Sequence, residues 1–144
     1  MAKVLYTAEA TVTRGRDEGH GKTTDGQLEV HLRRPTEMGG DGEGTNPEQL
    51  FAVGYAACFE GALGVVARRE RAEIGDASID SKVSLVTTEE RGFTVAVELD
   101  VTLPQVADAA EAVRIVAGAH RVCPYSNATR GNIEVKLTAN GQPA

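Results

Sequence analysis

The chain is poor in basic residues and in the patterns that build metal sites. Its 144 residues include 15 Lys and Arg against 21 Asp and Glu, which gives a net charge of −6. Nucleic-acid binding needs a basic surface, so this balance argues against DNA or RNA as the main partner. The sequence has three histidines (His20, His31 and His120) and contains no C-x-x-C, H-E-x-x-H or EF-hand pattern. We therefore expect no metal and no bound cofactor.

The sequence also lacks a long apolar segment. No run reaches the roughly 18 apolar residues of a membrane-spanning helix, and the first ten residues have no apolar centre of the kind found in signal peptides. We expect no membrane span and a cytoplasmic location. Thiols are kept reduced in the cytosol, so we expect Cys58 and Cys123 to be either inert buried thiols or chemically active ones.

The first third of the chain predicts strands joined by glycine-containing loops. Apolar alternation predicts strands over residues 4–13 and 27–32, with a polar loop over residues 14–26 between them. Residues 33–45 are rich in glycine and predict an unusually long loop. Loops of that length in a compact domain tend to be functional or disordered.

A helix start follows at Asn46-Pro47-Glu48-Gln49. Asn46 suits the cap, Pro47 the first helical position and Gln49 a capping box, and the helix should continue to about Glu70. Its apolar and small residues run almost all the way round, which predicts a buried helix rather than an amphipathic one. Because so small a chain has little material to surround it, we expect a second subunit to cover one side.

The second half predicts a hairpin, a helix, a helical turn and a last strand. Residues 77–87 and 93–103 alternate on either side of a turn at 89–92. A helix is predicted from residue 104 to about 120, a helical turn over 124–130 and a strand over 133–137. The order β-β-α-β-β-α-β indicates a single α+β domain over residues 1–144.

The two cysteines lie in different surroundings and are separated by 64 intervening residues. Cys58 is in the middle of the predicted buried helix, where burial without a charge partner raises a thiol pKa. A reactive Cys58 therefore needs a cation from elsewhere. Cys123 precedes Pro124 at the start of the short helical turn, where backbone N–H groups favour a thiolate. A catalytic thiol and its resolving partner need only meet in space, which sequence spacing neither requires nor excludes.

Two segments resemble a known family. GTNPEQLFAVGYAACFEGAL (residues 44–63) and VCPYSNATRGNIEV (residues 122–135) are similar to the signature regions of the organic hydroperoxide resistance proteins, a branch of the OsmC-like (osmotically inducible protein C) superfamily. The similarity covers essentially the whole chain, and the second segment favours this branch over OsmC proper. The resemblance implies an α+β OsmC-like fold, with antiparallel and mixed sheets packed around long buried helices, in an intertwined homodimer.

The resemblance also implies roles for four residues. Cys58 corresponds to the peroxidatic cysteine, Cys123 to the resolving cysteine, Arg16 to the catalytic arginine and Glu48 to its carboxylate partner. Arg14, two residues before Arg16, is a second candidate for the cation. Such an arginine would lower the thiol pKa and stabilise a departing alkoxide, and a glutamate can hold it through two parallel hydrogen bonds.

Helix geometry restricts how these residues meet. Glu48 and Cys58 are ten residues apart on the predicted helix, hence about 15 Å along its axis. Either Arg16 bridges a long gap, or Glu48 serves the Cys58 of a neighbouring chain.

The activity implied by the resemblance is reduction of organic hydroperoxides under oxidative stress. Cys58 would form a sulfenic acid and then a disulfide with Cys123, which dihydrolipoamide or a lipoylated protein would reduce. Phe51, Tyr55 and Phe59 are candidates for an apolar pocket that suits alkyl or fatty-acid hydroperoxides, although each also fits a core position.

Three other functions are compatible with the residues. One is an OsmC-type peroxidase with a broader range of peroxides, and another is a non-catalytic dimer that binds a lipid or small molecule. A redox sensor is the third, although no basic patch or DNA-binding helix supports it.

Overall fold

The computed structural model describes residues 2–144. Its helices are α1 (Gly15–Glu18), α2 (Pro47–Glu70), α3 (Ala109–Val122) and α4 (Pro124–Thr129). Its strands are β1 (Ala10–Thr13), β2 (Gly19–Thr23), β3 (Glu29–Arg33), β4 (Ser78–Thr87), β5 (Phe93–Thr102), β6 (Val135–Ala139) and β7 (Gln142–Pro143). The predicted α+β class is confirmed. The chain forms two compact units, the first ending at Leu50 and the second beginning at Phe51.

The first unit contains an antiparallel sheet in the order β1-β2-β3. The long loop after β3 includes a 3₁₀ turn at Thr36–Met38. It returns to β3 through the Arg33 N–H to Thr45 O hydrogen bond at 2.9 Å and the Thr45 N–H to His31 O bond at 2.8 Å. Because both ends of the loop are tied to β3, the start of α2 is held beside that strand.

The second unit contains a mixed sheet in the order β4-β5-β6-β7. β4 and β5 form the predicted hairpin in a continuous antiparallel register from Ser78↔Thr102 to Thr87↔Phe93. β6 lies parallel to β5, with Val97 opposite Val135. Alternate residues of β5 and the residue that follows it are buried: Val97, Leu99, Val101 and Leu103. This inward face supplies one wall of the core.

Two helices supply the rest of that core. The buried residues of α2 are Tyr55, Phe59, Ala62, Leu63, Val66 and Ala67, and their spacing of three and four places them on one stripe. α3 buries Ala112, Ile115, Val116 and Ala119 in the same way. Thus α2, which the sequence predicts to be buried all round, is buried along one stripe in the single chain, and Val53 on it is 71% exposed.

The length and composition of α2 would also allow it to cross a membrane. Within residues 2–144 it is the helix that meets this test, with a mean hydropathy of 1.7 and 33% of the window buried. The core helix of a water-soluble protein meets the same test, so the finding is weak evidence for a span. The expectation of no membrane span stays a prediction.

Several predicted boundaries are wrong. The predicted loop over 14–26 contains α1 and β2, whose sequence GHGKT lacks apolar alternation and pairs with strands on both sides. The first strand covers only Ala10–Thr13, because its partner β2 ends at Thr23 and the chain then turns. β7 was not predicted. The second helix starts at Ala109 instead of 104, since Asp108 caps it through the Ala110 N–H at 3.0 Å.

Candidate active site

An arginine and a glutamate of the first unit form a two-point ion pair. Arg16 Nη2 donates to Glu48 Oε1 at 2.8 Å and Arg16 Nη1 donates to Glu48 Oε2 at 3.3 Å. The Glu48 side chain is 15% exposed and that of Arg16 is 35% exposed. This fork geometry fixes the orientation of the guanidinium plane as well as its position.

Arg14 occupies a different place. Its φ of 62° lies in the left-handed region, and it lines an open cleft of about 470 Å³ together with Asp17, Glu18, Arg33, Arg34, Gly39, Gly40 and Asp41. Of the two arginines predicted as the loop cation, Arg16 is the one that contacts Glu48.

The turn that carries Arg16 is built from close backbone contacts and a surface ion pair. A Cβ at Gly19 would lie 1.9 Å from the Gly15 carbonyl oxygen, so only glycine fits there. Asp17 accepts from Arg34 Nε at 3.0 Å and from Arg34 Nη2 at 2.6 Å. α1 is thereby tied to the end of β3 on one side and, through Arg16, to the start of α2 on the other.

Glu48 is positioned by the helix start that the sequence predicts. Asn46 Oδ1 accepts the Gln49 N–H at 2.9 Å, and Pro47 is the first residue of α2. Burial alone would raise the pKa of Glu48. Hydrogen bonding to Arg16 and to its own backbone N–H, together with the charge of Arg16, outweighs burial, so this pKa lies below its ordinary value. The carboxylate is therefore held in its charged form.

Cys123 lies at the junction of two helices in the second unit. It is fully buried, and its thiol is free. Its N–H donates to Ala119 O at 2.8 Å at the end of α3, and its carbonyl accepts the Asn127 N–H at 2.9 Å at the start of α4. With φ −61° and ψ 124° it is extended, as expected for a residue before proline.

Cys58 is a free, half-buried thiol of α2 that borders the same core. Burial raises the pKa of Cys58, the backbone N–H of Tyr125 lowers it, and hydrogen bonding with Cys123 and the charge of Cys123 raise it further; the net shift is upward. Two thiols that affect each other in this way are near neighbours. The structure thus brings together two cysteines that have 64 residues between them in the sequence.

The three predicted pocket residues are packing residues in the single chain. Tyr55 and Phe59 are 0% exposed and belong to the core, and Phe51 is half-buried against it. Phe51 and Tyr55 also form an aromatic cluster with Tyr125, with ring centroids 5.6 to 6.0 Å apart. A role in binding substrate stays a prediction for these residues.

Sequence reasoning missed the polar residues that accompany Cys123. Tyr55 Oη lies 2.8 Å from Ser126 Oγ and 3.1 Å from Thr129 Oγ1, and Thr129 Oγ1 donates to Tyr125 O at 2.9 Å. The signal available in the sequence was the run Cys-Pro-Tyr-Ser-Asn-Ala-Thr, because three hydroxyl residues in one short turn need buried partners if the turn is buried.

The sequence of this chain matches a known family. The model of the OsmC-like proteins matches residues 40–138. An organic hydroperoxide resistance protein of Xanthomonas axonopodis pv. citri is 53% identical over 138 residues, which are 94% of this chain and 95% of that protein. The chain belongs to the OsmC-like family. Within it, the chain belongs to the organic hydroperoxide resistance proteins.

Solved structures of this family have the same fold as this chain. An organic hydroperoxide resistance protein of Legionella pneumophila has a TM-score of 0.89 and 51% identity, covering 94% of this chain and 97% of that one. A Vibrio cholerae relative, with captopril bound in one of its active sites, has a TM-score of 0.93 and 42% identity, covering 99% and 96%. The OsmC-like fold predicted from the two signature segments is therefore confirmed.

The lowered pKa of Glu48 makes a prediction about stability and pH. A group whose pKa is depressed by folding stabilises the fold above its unfolded pKa, and that contribution is lost as the pH falls through the folded value. Glu48→Gln should lower the free energy of unfolding at neutral pH by about 1 kcal/mol or less, since the pair is partly solvated. The deficit should shrink as the pH falls below 4.5, the ordinary value.

Urea unfolding of wild type and Glu48→Gln across this pH range checks that expectation. Glu60→Gln, at an exposed position of the same helix, is the matched control and should show no comparable pH-dependent deficit. A deficit in Glu48→Gln that grows toward acid pH would contradict the assigned ion pair.

Proposed function

We propose that this protein is a cysteine-based peroxidase that reduces organic hydroperoxides to alcohols. The observation that carries the proposal is the pairing of a half-buried Cys58 with a buried neighbouring Cys123, both free thiols. Membership of the organic hydroperoxide resistance proteins supplies the substrate class.

The first step oxidises Cys58. Its thiolate attacks one oxygen of the hydroperoxide, the O–O bond breaks, and an S–O bond forms to give a sulfenic acid. The sulfur loses two electrons, and the leaving alkoxide takes a proton to become the alcohol. Since burial raises the pKa of Cys58, the thiolate needs a cation. We assign that role to Arg16, held by Glu48, on the strength of the family resemblance and of the Arg16–Glu48 pair.

The second step uses Cys123 as the resolving thiol. Its sulfur attacks the Cys58 sulfur, an S–S bond forms, the S–O bond breaks, and the hydroxide leaves as water with the Cys123 proton. Two electrons and two protons from an external dithiol then restore both thiols. We propose dihydrolipoamide or a lipoylated protein as this reductant, as the family resemblance implies. The proposed cycle takes place in the cytoplasm and uses no bound cofactor.

We propose a homodimer as the working form. Large apolar side chains are exposed in the single chain, including Val4 at 79%, Leu5 at 87%, Tyr6 at 77% and Val53 at 71%. Exposed apolar groups in such number favour a covering partner. Light scattering at micromolar concentration should give twice the 15.2 kDa chain mass; the mass of a single chain would contradict the dimer. In such a dimer, the arginine held by Glu48 would act either on the Cys58 of its own chain or on that of the partner, the two alternatives given by the sequence analysis.

A turnover assay tests the peroxidase directly. Wild type, Cys58→Ser and Cys123→Ser are incubated with tert-butyl hydroperoxide and dihydrolipoamide, and consumption of the hydroperoxide is followed. Wild type should turn over, Cys58→Ser should not react, and Cys123→Ser should consume about one equivalent per chain and then stop, because it makes the sulfenic acid without the disulfide.

The same assay separates the alternatives. Hydrogen peroxide consumed as fast as the organic hydroperoxide would favour a broader OsmC-type peroxidase. The second alternative is a protein that only binds small molecules, and it is worth testing because the Vibrio cholerae relative has captopril bound in one of its active sites. It predicts no turnover. It also predicts ligand binding that survives the loss of either cysteine.

A further inference from the structure

Three buried hydroxyl groups meet where α4 packs against α2. Tyr55 and Ser126 are 0% exposed, and Thr129 is 7% exposed. Tyr55 Oη lies between the other two, 2.8 Å from Ser126 Oγ and 3.1 Å from Thr129 Oγ1. Ser126 and Thr129 have no role in the proposed peroxidase cycle, and Tyr55 has so far been a candidate for the substrate pocket only.

Counting protons fixes the direction of these hydrogen bonds. Thr129 has one hydroxyl proton, and it goes to the Tyr125 carbonyl at 2.9 Å. Thr129 Oγ1 must then accept from Tyr55, whose single proton is used there, so Tyr55 Oη accepts from Ser126. The chain of donors runs from Ser126 to Tyr55 to Thr129 to the backbone of α4. Each proton is used once, and Tyr55 links both side chains.

This network holds the turn that carries Cys123. α4 has six residues, too few to be stable as an isolated helix. Cys123 is its N-cap, and the Cys123 carbonyl is bonded to the Asn127 N–H of that helix. The position of the Cys123 sulfur therefore follows the position of α4, and α4 is fastened to α2 by the Tyr55 hydroxyl.

The face of α2 that carries Tyr55 also carries Cys58, the attacking thiol of the proposed cycle. Phe51, Gly54, Tyr55 and Cys58 follow one another at helical spacings of three, one and three, so they share a face. A Cβ at Gly54 would lie 2.9 Å from Tyr125 Oη, which shows how closely the ring of Tyr125 approaches this face. Tyr55 is thus fixed one turn before Cys58 on one side and bonded to the turn after Cys123 on the other.

We propose that Tyr55 is a positioning residue for the resolving step: its hydroxyl, bonded to Ser126 and Thr129, sets the distance between Cys123 and Cys58 and so the rate of disulfide formation. The proposal rests on the proposed peroxidase cycle. It concerns the step in which the Cys123 sulfur forms the S–S bond and water leaves Cys58. It leaves the attack of Cys58 on the hydroperoxide unchanged. Tyr55 is thereby a positioning residue and not a wall of the substrate pocket.

A single-turnover experiment separates the two steps. Reduced Tyr55→Phe is mixed with one equivalent of tert-butyl hydroperoxide and quenched at successive times. The sulfenic acid is trapped with dimedone, and the disulfide is counted by mass spectrometry. Sulfenic acid formation should stay within about two-fold of wild type. Disulfide formation should slow by roughly ten-fold or more, because small misplacements of reacting groups are costly. Sulfenic acid should accumulate and yield some sulfinic acid.

Two pairs of variants guard against a general effect on folding. Thr129→Val removes the same link without touching α2 and should reproduce the defect, whereas Thr129→Ser keeps a hydroxyl and should restore most of the rate. Thr102→Val makes the same change as Thr129→Val at an exposed position of β5 and should behave as wild type. If Tyr55→Phe does not fold by circular dichroism, the Thr129 pair decides the question.

The outcomes distinguish this inference from the proposed function. Disulfide formation at the wild-type rate in Thr129→Val, or equal slowing of both steps, would overturn the positioning role of Tyr55. Failure of the wild type to form either sulfenic acid or disulfide would overturn the peroxidase cycle and this inference with it.

Discussion

The packing of a short helical turn, α4, on one face of α2 is the constraint on which the proposed thiol chemistry depends. α4 has six residues and cannot keep its shape alone. It is held by buried hydroxyls, by the Tyr125 ring against Gly54, and by Arg130, which donates to His120 O at 2.8 Å and to Asn127 Oδ1 at 2.6 Å. Leaving one of these buried polar groups unpaired costs about 1–3 kcal/mol. Such a cost keeps α4, and with it Cys123 at its N-terminus, in place.

Burial has opposite effects on structure and reactivity at this site. The core that fixes Cys58 and Cys123 also raises the pKa of Cys58, which disfavours the nucleophilic thiolate. The proposed mechanism gives the task of offsetting this effect to Arg16, which two hydrogen bonds to Glu48 hold in one orientation. In that mechanism, a guanidinium already held in place would need little reorganisation as negative charge develops.

Local signals in the sequence were sufficient for the elements that place these groups. Asn46 and Pro47 define the start of α2 and hence the position of Glu48. Pro124 ends α3 and makes Cys123 a junction residue. The two signature segments were sufficient for the family, and the alternation of β4 and β5 was sufficient for the hairpin.

The remaining features depend on partners far away in the chain. β2 is a strand only because β1 and β3 flank it, since GHGKT has no strand pattern of its own. The buried hydrogen-bond partners of Tyr55 are Ser126 and Thr129, 71 and 74 residues later. Its apolar ring, taken together with Phe51 and Phe59, predicts a pocket, whereas the hydrogen bonds of its hydroxyl are visible only in the structure. The contact of Glu48 with Arg16 instead of Arg14 likewise became visible only in the structure.

The most direct test of the account is the state of the two cysteines after one oxidation. Reduced wild-type protein is treated with one equivalent of an organic hydroperoxide, blocked with an alkylating agent and digested without a reductant. The account predicts one disulfide that joins the peptides of Cys58 and Cys123 within a single chain. Recovery of both thiols in alkylated form after the hydroperoxide has been consumed, or a disulfide between Cys58 residues of two chains, would contradict it.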